Sequence, residues 1–129
     1  MVSESPNQSQ LFECVEIYVP KKLENLSALY SFLNGKLAER EKGLSQDVQI
    51  DGFSLYEVDG AFYGSQIYQE RTMVIRILLE RSDTDTSETI LAKIRILGEE
   101  IAPLVAEQEE ELWISHYPQH VMIFQRKGV

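Results

Sequence analysis

The chain has 129 residues, of which 43% are hydrophobic and 26% charged, enough apolar side chain for one packed domain and too much for disorder. Twelve Lys and Arg against 21 Asp and Glu leave a net charge of −9, a surface that repels phosphate backbones and anionic lipid, so neither nucleic acid nor membrane is expected as a partner. The single cysteine, Cys14, excludes an internal disulfide and fits a cytoplasmic protein.

Residues 1–10 are polar, with neither a basic nor an apolar leader block, and read as a flexible tail before one domain over 11–129. Leu11 to Val19 alternates, with Val15, Ile17 and Val19 on one face and Phe12, Cys14, Glu16 and Tyr18 on the other, which predicts a strand. Pro20 ends it. Leu23, Leu26, Tyr30, Leu33 and Leu37, widened by Leu29, make one helical stripe over about 21–42, and Gly43 supplies its stop. Two Asp-Gly steps follow. Asp59-Gly60, between Phe53–Val58 and Ala61–Tyr63, predicts a type I′ hairpin turn.

Thr72 to Glu80 predicts another strand, with Met73, Ile75, Ile77 and Leu79 on one face and Val74 and Leu78 on the other. Asp83, Asp85, Thr86 and Ser87 offer helix caps, Glu88 being placed to box with Asp85. Ile90, Ile94, Leu97, Ile101 and Leu104 form a second stripe, which Pro103 should kink or restart. Leu112–Ser115 and Val121–Gln125 are expected as short strands broken around Pro118. The order β-α-β-β-α-β predicts an α+β, ferredoxin-like split βαβ domain, with two helices on one face of a four-stranded antiparallel sheet.

The run from Gly52 to Gly60, the Pro20-Lys21-Lys22-Leu23 helix entry, the Met73–Leu79 strand and the closing Val121–Gly128 segment resemble, in order, the PII-like nitrogen-regulatory signalling proteins. The same pattern, with Glu70 ahead of a Val/Ile strand, is similar to an uncharacterised bacterial family of small ferredoxin-like domains. The PII resemblance implies a trimer and an ATP site built from a long loop after the second strand, glycine-rich turns and two arginines in the last strand. The nucleotide-site residues are not retained. Gly64 to Arg71 is too short for that loop, Phe62 stands at a glycine position, Met122 and Phe124 stand at the arginine positions, and Glu107–Glu111 is acidic where phosphate would lie.

His116 and His120 flank Pro118 and are expected as solvent-exposed turn histidines; no third ligand accompanies them, so no metal and no cofactor are expected. Cys14 lacks a sequence-local base and reads as a packed hydrophobe. No elbow, P-loop or dinucleotide motif occurs. Aromatic residues gather around the hairpin: Tyr56, Phe62, Tyr63 and Tyr68, with Glu70 and with Glu57 and Asp59 nearby, are the ligand-binding candidates. The strand face left open by the helices carries Tyr18, Val74, Leu78 and Trp113, the candidate interface of a homo-oligomer, trimer or dimer. The reading is therefore a non-enzymatic regulatory or protein-interaction module of PII-like architecture without a nucleotide site. The alternative is a small enzyme or ligand-binding protein using the aromatic hairpin with Glu70, His116 being a further candidate.

Overall fold

The computed structural model describes residues 8–20, 23–63, 67–105 and 112–125, without the side chains of 8, 20, 23–25, 62, 63 and 67–71. Four strands and two helices follow one another as β1 (Gln8–Pro20), α1 (Leu23–Glu41), β2 (Ile50–Tyr63), β3 (Ile67–Glu80), α2 (Ser87–Ile101) and β4 (Trp113–Ile123). The strands form one antiparallel sheet in the order β2-β3-β1-β4, the ferredoxin-like arrangement expected. Among the described residues, no helix is long and apolar enough to cross a membrane.

Burial follows the period-2 rule. Val15, Ile17, Val19, Ile75, Ile77 and Leu79 are fully buried, and the helices cover them with Leu29, Leu33, Ile90, Leu97 and Ile101. The second stripe falls where its spacing puts it, and Ala102–Leu104 closes α2 as a 3₁₀ turn with Pro103 inside it. The first stripe is turned. Tyr30 is 52% exposed and meets Phe53 edge-on at 5.5 Å, while Lys36 is buried, its Nζ donating to Val48 O at 3.2 Å. An aliphatic stem lets a lysine occupy an apolar face provided its head finds an acceptor.

Gly43 ends α1 with φ +75°. Its N–H donates to Arg40 O at 3.0 Å and the Leu44 N–H donates to Glu39 O at 3.0 Å, the paired bonds of a Schellman stop. At α2 the capping box lies one residue later than the sequence suggested. Thr86 and Thr89 cap each other, because Asp85 is already engaged by the Ser82 N–H at 2.8 Å and by Lys93 at 2.9 Å.

Two expectations are corrected. Asp59-Gly60 is not a turn: the β2–β3 ladder continues from Asp59↔Arg71 through Tyr63↔Ile67. Gly43 is the only positive-φ residue among those described, so the positive φ of a type I′ turn is not met at Gly60. The partner strand simply extends further than its Thr72 start in the sequence reading. Nor is the last strand broken at Pro118. β4 runs unbroken, with Pro118 opposite Glu13, and it is an edge strand, where a missing N–H can face outward without loss.

Candidate functional site

The helices leave one sheet face uncovered, and the strand register sorts its residues into rows. Tyr56, Val74, Tyr18 and Trp113 form the first, Ser54, Arg76, Glu16 and Ser115 the second, and Gly52, Leu78, Cys14 and Tyr117 the third. Three of the four interface candidates, Tyr18, Val74 and Trp113, therefore share one row. Leu78 stands two rows away, about 13 Å along the strands, beyond the charged pair of positions Glu16 and Arg76.

Polar side chains partly cover this face. The Tyr56 hydroxyl donates to Glu16 Oε2, and that bond, more than burial, pushes the phenol up to about 12. Arg76 lies across Cys14, its Nε donating to Sγ at 3.3 Å and its second terminal nitrogen to Gln119 Oε1 at 2.7 Å. The Tyr117 phenol is raised as well, first by its hydrogen bond with Cys14 and then by burial. This cover explains why Cys14 and Val74, on the open face, are 0% and 1% exposed. Trp113, Tyr117 and Tyr56 stay exposed at 45%, 41% and 40%.

Beside Cys14 the face sinks into an open depression of about 340 Å³, lined among others by Gly52, Ser54, Arg76, Leu78, Gln119 and Val121. Its β2 wall carries a register irregularity between Ile50 and Gly52. Arg40 pins that irregularity from the helix side, donating to Ile50 O at 2.7 Å and pairing with Asp51 Oδ1 at 2.5 Å. Burial raises the Asp51 carboxyl, and the Arg40 charge opposes that shift.

His116 needs correction as a turn histidine. It sits within β4, and its Nδ1 lies 2.7 Å from Glu13 Oε2, while Arg81 holds Glu13 Oε1 at 2.6 Å. Glu13 is only 2% exposed, on the same strand parity as Val15, so this cluster belongs to the helix-covered side, while His116 itself keeps 35% side-chain exposure. His120 is opposite Leu11, also in the strand, and no group of three metal-ligating side chains occurs among the described residues. The sequence reading missed Glu13 and Arg81. Strand parity placed Glu13 inward with Val15, and an inward carboxylate requires a partner; the partners' identity depends on strand register.

The hairpin candidates come together only in part. Tyr56 joins the open face. Phe62 is opposite Tyr68, and Gly60 is opposite Glu70, but the side chains of Phe62, Tyr63, Tyr68 and Glu70 lie outside the described residues. The connection between β2 and β3 is limited to residues 64–66, also outside them. Of the positions where the PII resemblance expects arginine, Met122 is 64% and Phe124 57% exposed; the whole acidic run, Glu107–Glu111, lies outside the described residues.

No protein-family model matches the sequence, and no curated protein matches it. Among solved structures, the chain is similar to CutA from Synechococcus elongatus PCC7942, at 9% identity and TM-score 0.47, over 90% of this chain and 84% of that one. It is also similar to a phage SAM lyase in the apo state, at 16% identity and TM-score 0.48, over 98% and 92%. A phage SAM lyase in complex with S-methyl-5′-thioadenosine follows at 14% identity and TM-score 0.44, over 86% and 89%.

Proposed function

We propose that this chain is a non-enzymatic regulatory or protein-interaction module of PII-like architecture, without a nucleotide site, working in the cytoplasm as a homo-oligomer joined through the uncovered sheet face. The observation that carries this reading is the exposure of Trp113 and Tyr56 in the same row as Tyr18, with Tyr117 close by, on a face no helix covers. Large aromatics with a polar end are the side chains interfaces use. A second copy of the chain is the partner the reading commits to, either as a dimer of stacked sheets or as a trimer.

Magnitude sets the form of the assembly. Hiding the exposed parts of Trp113, Tyr56 and Tyr117 removes roughly 250 Å² per subunit from water, roughly 500 Å² for a dimer, a gross gain of about 12 kcal/mol. The loss of rigid-body freedom costs about 4–15 kcal/mol, so the aromatics alone support a concentration-dependent assembly, and flanking area must add the rest. The charge of −9 opposes association and is screened at physiological salt. Light scattering coupled to size exclusion, run over a dilution series at fixed salt, tests the reading: a mass above 14.8 kDa that falls on dilution supports it, and a monomer throughout rejects it.

A further inference from the structure

We infer that the depression beside Gly52 is a binding site for a small organic monocarboxylate with an apolar or aromatic body. It lies on the open face beyond the Trp113 row, in the row that ends at Tyr117, so the inference goes beyond the assembly proposed above, and its test is run on the chain in whatever oligomeric state it adopts.

The shape comes first. A cavity of about 340 Å³ is within the range that holds a small organic ligand. Gly52 lines it, and a side chain there would enter open space, since a Cβ would meet no atom within 4 Å. Glycine inside a strand marks a place where another group approaches the backbone, and register irregularities tend to re-aim a strand beside a site. Both occur here together, at Ile50/Gly52, and Arg40 fixes the irregularity from behind.

The chemistry follows from which groups donate. Leu78 and Val121 give the depression an apolar part, while Arg76, Gln119 and Ser54 line its polar part. A guanidinium only donates. The oxygen of Gln119 therefore faces Arg76, and its amide NH₂ is left as a donor. With Arg76 and the Ser54 hydroxyl, the polar part offers donors to an acceptor-rich ligand group, and a carboxylate matches a guanidinium in geometry and charge. Charge selects a monoanion. Arg76 brings one positive charge, Glu16 stands opposite it in the ladder, and the chain carries a net −9, so one negative charge is held better than the two of a phosphate dianion.

The test titrates the full ¹⁵N-labelled chain with 3-phenylpropionate and 4-methylpentanoate, and in parallel with their primary amides. The Gly52 backbone amide and the Gln119 side-chain amide are followed by NMR. The inference expects saturable shifts at both sites with at least one carboxylate, and at least tenfold weaker binding of its amide. Gly52→Leu should abolish these shifts while leaving the rest of the spectrum and the melting temperature in place, because the new side chain enters empty space. Arg76→Gln should weaken binding at least tenfold. No shift with either carboxylate at about 10 mM, where even a millimolar site saturates, would overturn the site. Equal binding of the amides would overturn the ligand class, and binding unchanged by Gly52→Leu would overturn the location.

Discussion

Buried Glu13 and its two partners give the sharpest test of the packing. Glu13 is 2% exposed, and its two oxygens are held by Arg81 at 2.6 Å and His116 at 2.7 Å. Glu13→Gln keeps the shape and removes the charge. Breaking a buried ion pair from one side costs about 3–5 kcal/mol, because the remaining charge is left without its partner. Arg81 retains 22% exposure and can turn toward water, which places the cost near the lower end, about 3 kcal/mol. For a domain of this size that corresponds to a fall in Tm of about 12 °C. Urea unfolding at pH 7, at one fixed protein concentration so that any assembly contributes equally, reads the change directly. The double variant Glu13→Leu/Arg81→Met should recover most of the loss, since removing both charges also removes their desolvation. A Glu13→Gln protein within about 0.5 kcal/mol of the parent, the ordinary scatter of surface substitutions, would refute the claim that a buried carboxylate ties β1 to β4 and to Arg81 just after β3.

Asp85 accepts from the Ser82 N–H, Lys93 and the Thr89 hydroxyl, and the Ser82 bond leads in holding its carboxyl well below the usual range. A depressed folded pKa adds stability above the unfolded value of about 4, and that stability is lost as pH falls through it. Asp85→Ala should therefore cost about 1.5–3 kcal/mol at pH 7, and the gap to the parent should narrow below about pH 4 in denaturation curves; a gap independent of pH would contradict this. Gly43→Ala should cost about 1–2 kcal/mol, because an L side chain resists the left-handed conformation that Gly43 adopts at φ +75°; a stabilised variant in the same urea assay would contradict the Schellman stop. Raising Tyr56 toward 12 stabilises its neutral form, a contribution present below about pH 10 and lost as pH rises through the folded value. Ultraviolet titration should show late-ionising phenols, Tyr56 and Tyr117 among them, and Glu16→Gln should bring Tyr56 back toward the others; a Glu16→Gln titration curve identical to the parent's would contradict the Tyr56–Glu16 bond.

The periodicities carried the fold well. Alternation in β1 and β3 and the Ile90–Ile101 stripe needed no tertiary information, since a strand or helix against a core shows its period directly. The hairpin did not follow its local signal. Asp-Gly favours a turn, but pairing of β2 with a longer β3 outweighed that preference, as sheet context commonly does. Pro118 was misread for a related reason: only knowledge that β4 is an edge strand makes proline harmless there. The site was less legible. Parity put Tyr18, Val74, Leu78 and Trp113 on one face, but register alone separated Leu78 from the others and brought Arg76 across Cys14 to Gln119. Glu13 and His116 are 103 residues apart, a contact no local pattern encodes.

Assembly through the uncovered sheet face, as proposed above, is directly testable at the aromatic row. Trp113→Asp places a charge at a position already 45% exposed, so the fold should survive, as far-ultraviolet circular dichroism and the melting temperature at low concentration would verify. Light scattering coupled to size exclusion at tens of micromolar should give twice or three times 14.8 kDa for the parent chain and the monomer mass for Trp113→Asp. A parent chain that elutes as a monomer, or a Trp113→Asp variant with the parent's oligomeric mass, would contradict the account.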